Sequence, residues 1–106
     1  MGASTLPHIC TKVYSKDLEE RREIKQKIKK LQKKKEVLMI AIPKEDASLH
    51  FYQELASSAD DESSREMFKK LAQQEIEHKK ILEAMTKELQ ESIDKLKVEQ
   101  KKLTHK

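Results

Sequence analysis

The chain is poor in the residues that build sheets and broad globular cores. Among 106 residues there are one glycine, two prolines, two phenylalanines, two tyrosines and no tryptophan, while 40% of the side chains are charged. Such a composition excludes a large core and suits long helices that share a narrow apolar seam. A single cysteine, Cys10, excludes an internal disulfide and fits a reducing compartment. Long apolar runs are also missing. The longest, from Val37 to Ile42, is far too short to span a bilayer, so no membrane association is expected. No basic start followed by an apolar stretch opens the chain, so no secretory signal is read there and a cytoplasmic location is expected. A large excess of one charge is lacking as well. The net charge is +4, with acidic residues interleaved among the basic ones. No aromatics accompany the lysines to stack on bases, which argues against a nucleic-acid partner.

What the chain does have is helical periodicity. Residues 1–14 show no period, contain Pro7, and are read as a flexible N-terminal arm. His8 and Cys10 lie in that arm without a second pair to complete a metal site. Ser15 can cap a helix whose first turn carries Asp17, Glu19 and Glu20. From there Leu18, Ile24, Ile28, Leu31 and Leu38 form a heptad seam, and the intervening lysines form its wet side. Steps of seven from Ile24 reach Leu31, Leu38, Glu45, Tyr52 and Ala59. From Ile28 they reach Lys35, Ile42, Leu49 and Ala56. Pro43 either kinks one long helix or separates two, and the unbroken phase favours the long helix. Ser57 to Asp61 reads as a turn in which Asp60 or Asp61 caps the next helix. That helix runs from about Glu62 toward Leu103. Its expected seam is Phe68, Leu71, Glu75, His78, Leu82, Met85, Leu89, Leu96 and Leu103, with Ile93 beside Ser92.

Two polar residues interrupt this second seam. Glu75 and His78 are three apart and share one helical face with Phe68, Leu71, Leu82 and Met85. An unpaired carboxylate and imidazole in an apolar seam are costly, and a bound metal would remove that cost. Folding the helices about a turn centred near residue 60 sets Leu38 against Leu82, Leu31 against Leu89 and Ile24 against Leu96. It also sets Glu45, the one seam carboxylate of the first helix, against Glu75. A di-iron bundle takes one Glu from each of two helices and a Glu-x-x-His from each of the other two. One hairpin holds half of that set, and a symmetric pair of hairpins holds all of it. The expected fold is therefore all-α, a long antiparallel helical hairpin over residues 15–106 that dimerises into a ferritin-like four-helix bundle. Its metal-binding core covers 41–85, and stems cover 16–40 and 86–104.

The segment Ala41-Ile42-Pro43-Lys44-Glu45 through His50-Phe51-Tyr52 to Ala56 resembles the first metal-binding helix of the rubrerythrin branch of the ferritin-like superfamily. Asp61-Glu62, Arg65, Phe68, Leu71-Ala72, Glu75, His78 and Leu82 are similar to its second helix. The resemblance implies that Glu45 is a terminal carboxylate ligand, that Glu75 bridges two metals and that His78 is the nitrogen ligand. It implies that Tyr52 hydrogen-bonds a ligand carboxylate from outside the metal shell. It also implies two iron ions per dimer, with manganese or zinc as substitutes, and ferrous iron oxidation or peroxide reduction as the activity. The second helix pair of a rubrerythrin and its Cys-x-x-Cys rubredoxin-like domain are not seen in this sequence. Dimerisation would repair the first departure, as in the short ferritin-like proteins stored in encapsulin shells. Such a shell is a partner that this likeness suggests, although no glycine-leucine targeting tail is visible. The second departure leaves the electron donor unassigned.

A metal-independent coiled-coil module that binds a partner is the competing interpretation, with Glu75 and His78 on a solvated face. Phe51 and Tyr52 also fit core packing, and Met39, Met67 and Met85 fit core filling. Glu54, Glu62 and Glu77 are read as solvent or capping charges, or as ligands along an iron path. His50 is expected to be exposed.

Overall fold

The computed structural model describes the backbone of residues 2–104 and the side chains of residues 17–103. Two helices, α1 (Gly2–Ser58) and α2 (Glu62–Thr104), pack antiparallel as one hairpin. There is no strand among the described residues. The hairpin is a rod of 91 × 20 × 14 Å. The backbone of α1 already runs through Ser15, so the helix start read there is not found, and the side chains of the arm read over residues 1–14 lie outside the described ones. No helix is long and apolar enough to cross a membrane among the described residues.

The turn sequence acts as expected. The Ser64 amide donates to Asp61 Oδ2 at 3.0 Å, and the Arg65 amide donates to the Asp61 carbonyl at 3.1 Å. Asp61 therefore caps α2, and the bonds from Ser64 hold its carboxyl below the usual aspartate range. Ser57 and Ser58 donate back to the carbonyls of Gln53 and Glu54 at the end of α1. Arg65 clasps the turn through the Ala59 carbonyl at 3.0 Å and Glu62 at 2.9 Å. Pro43 sits exposed within α1, which continues through it. Its missing amide faces water, where the lost bond is least costly.

Both heptad lines read along α1 are buried or half-buried throughout, from Ile24 to Ala59. On α2 the seam lies slightly round from the expected line. Ala72, Lys79, Thr86, Ile93 and Gln100 face α1, together with Leu82, Leu89, Leu96 and Leu103. His78 and Met85, placed on the seam by spacing, are instead exposed at its edge. The core is thin. Only Ile28, Ala56, Ala72 and Ile93 are buried among the described residues, and Ile93 is the deepest at 1% exposure. Ile93→Ala should therefore cost roughly 2–4 kcal/mol, since a cavity opens where few neighbours can collapse. Urea unfolding measures this, and a loss well below about 1 kcal/mol would show that Ile93 is not the anchor of the stem.

The register differs from a turn centred at residue 60. Arg21 reaches the Leu103 carbonyl at 3.0 Å, Lys35 bonds Gln90, Glu45 faces His78 and Asp46 faces Lys79. Each partner lies about one helical turn further along α2 than expected. The helix ends stand evenly about residue 60, α1 closing at Ser58 and α2 opening at Glu62, so the offset does not come from the length of the turn. A shift of one turn returns the same face, because residues four apart are neighbours. The apolar matching survives for that reason.

Candidate metal centre

The shifted register sets Glu45 of α1 level with both polar residues of the α2 face. Glu45, Glu75 and His78 each present a ligand atom, and those atoms lie within 4.8 Å of one another. Glu45 and Glu75 are half-buried, and His78 is exposed. His78 Nδ1 stands 3.8 Å from Glu45 Oε2, beyond hydrogen-bond reach. That oxygen is buried without a hydrogen-bond partner. Glu75 has its pKa raised, first by the adjacent Glu45 carboxyl with which it can share a proton. Burial and the Glu45 charge add to the rise, and His78 opposes it.

An orphaned buried acceptor beside two mutually repelling carboxylates is a defect in a metal-free hairpin. A cation between them would satisfy the acceptor and offset the repulsion. Two carboxylates and an imidazole suit a non-haem iron or a similar divalent ion. The donor set therefore fits a metal, although three ligands from one hairpin leave each ion incompletely held.

The other residues singled out by sequence divide clearly. Tyr52 is half-buried with its ring 5.6 Å from that of Phe51, and it makes no hydrogen bond to the three among the described residues. His50, Glu54, Glu62 and Glu77 are exposed. Glu62 serves Arg65, so its part is structural. Sequence reasoning missed one pair. Lys79 Nζ lies 2.7 Å from Asp46 Oδ1, one residue along each helix from His78 and Glu45. The signal was that Asp46 follows Glu45 and Lys79 follows His78. It was hidden by a register one turn short.

The rubrerythrin family model matches residues 36–105, more than half of the chain. The chain belongs to the rubrerythrin family. The match takes in Glu45, Glu75 and His78, and extends beyond the 41–85 resemblance to the whole of α2. It leaves the lysine-rich part of α1 before residue 36 outside. The rubrerythrin domain marks the di-iron carboxylate proteins, which typically bind iron and are often oligomeric. No curated protein and no solved structure matches this chain.

Proposed function

We propose that this rubrerythrin-family hairpin pairs with a second copy and binds two iron ions at a shared site, where ferrous iron is oxidised or peroxide reduced. The observation that carries this reading is the convergence of Glu45, Glu75 and His78 around a buried oxygen without a partner. One hairpin offers one Glu and one Glu-x-x-His, and a two-fold partner would supply the matching set.

The surface around the three residues supports pairing. Val37, Ile40 and Phe51 on α1, and Met67, Ile81 and Met85 on α2, are 45–65% exposed. Helical spacing puts them on the side of the hairpin that carries His78. Val37, Leu38, Met85 and Leu89 line one groove there. A partner seated on that face would cover both the apolar strips and the open imidazole. The stems would project beyond the shared bundle.

In this arrangement Glu45, Glu75 and His78 would hold the iron, Glu45 as a carboxylate of one ion, Glu75 as the carboxylate shared between the copies' ions and His78 as the nitrogen donor. Iron held there would supply the redox chemistry and a Lewis acid. The chain's own part is to place the ligands and exclude water through the apolar surround. It also sets the Glu75 carboxyl against that of Glu45, so that a cation between them would displace any proton they share. Tyr52, half-buried on the Glu45 line of α1, would orient a ligand carboxylate once the bundle is assembled.

Metal analysis of protein reconstituted with ferrous salt tests the reading. Two irons per dimer are expected, with both lost in Glu45→Ala and in His78→Ala. A dimer that takes up no metal, and that is equally stable in both variants, would favour the partner-binding coiled coil.

A further inference from the structure

Lys79 poses a problem for the proposed site. It is half-buried on the hairpin seam, four residues after Glu75. Glu followed by Lys at that spacing is the favourable order for a helical ion pair. An ammonium that took up that pairing would stand beside Glu75 and the unpaired Oε2 of Glu45. It would fill the position where a metal is needed. Instead Lys79 pairs with Asp46 at 2.7 Å, the one ion pair it makes among the described residues. Asp46 follows Glu45 by one position, so its side chain leaves α1 about 100° further round. The bond therefore draws the ammonium away from the three ligands.

We propose that Asp46 is a positioning residue that keeps the Lys79 ammonium out of the metal site, where it would compete with divalent cations for Glu75 and Glu45. This rests on the reading of Glu45, Glu75 and His78 as metal ligands. Asp46 is not itself a ligand in this account, and Lys79 is an internal competitor held in check. The alternative role for the pair is a clamp on the hairpin register, and the two roles differ in what removing the lysine does.

Cobalt(II) titration of the full chain, followed by visible absorbance and calorimetry, tests the proposal. Asp46→Asn should weaken cobalt binding by about fivefold, the scale of one partly exposed ion pair. Adding Lys79→Met to that variant should restore wild-type affinity, and Lys79→Met alone should bind at least as tightly as the wild type. Unchanged affinity in Asp46→Asn would overturn the proposal. So would an equal loss in Lys79→Met, which would make the pair a clamp. Melting of each variant with chelator checks that all are folded. Failure of the wild type itself to bind cobalt would instead overturn the metal reading, and this inference with it.

Discussion

Glu75→Gln is expected to stabilise the metal-free protein at neutral pH while abolishing its metal binding. Glu75 stands beside the Glu45 carboxyl, which raises its pKa above the ordinary 4.5. A folded pKa above the unfolded one means that the fold prefers the protonated form. That preference favours folding fully below the unfolded value, and it fades as pH rises through the folded value. Above that folded value the Glu75 carboxylate repels its neighbour across the seam. Glutamine removes the repulsion and keeps the shape, so melting with chelator should rise by a few degrees. The gain should vanish as pH falls toward the ordinary glutamate range. Metal affinity should move the other way. Loss of a ligand exceeds the loss of an outer partner, so a drop beyond about a hundredfold is expected. In the wild type, affinity should begin to fall at a higher pH than for an ordinary carboxylate site, because Glu75 must first give up its proton. A variant less stable than wild type in chelator at neutral pH would show that the carboxylates do not strain the fold.

Assembly should depend on metal to a comparable degree. The second-copy face joins apolar strips, but it also brings together two acidic segments. Residues 36–86 hold 11 acidic and 6 basic side chains. Without metal, apolar burial and charge repulsion oppose each other. Divalent ions in the shared site would remove the repulsion, and each binding event would strengthen the other. Light scattering should show a dimer with cobalt or ferrous salt, and a shift of at least about tenfold toward monomer with chelator. Added salt should recover part of the metal-free dimer by screening the acidic segments. Ile81→Glu, on the exposed strip, should give monomers in both conditions. A mass indifferent to metal, and a dimer that persists in Ile81→Glu, would rule out this face.

The linear pattern foretold much of this arrangement. The α1 seam from Ile24 to Ala59 could be read directly, because heptad spacing forces one face inward whatever the partner. The Asp61 cap and the continuity of α1 past Pro43 were legible for local reasons of turn chemistry and phase. The trio of Glu45, Glu75 and His78 was legible as polar interruptions of apolar lines. The α2 seam was less so. Ile93, the best-buried side chain, lies beside the line that spacing favours, and the lysine, threonine and glutamine between its neighbours disguise it. Long side chains can turn their stems inward and their heads outward, so polarity alone does not mark them as exposed.

Two hydrophobic periods and a short polar turn were enough, as a linear pattern, to dictate an antiparallel pair of helices and the face that carries the ligand types. Only the folded pairing decided which rung of one helix meets which rung of the other. That choice is a matter of one turn, to which hydrophobic spacing is blind because neighbouring turns present the same face. It brought His78 level with Glu45, and it set Asp46 against Lys79.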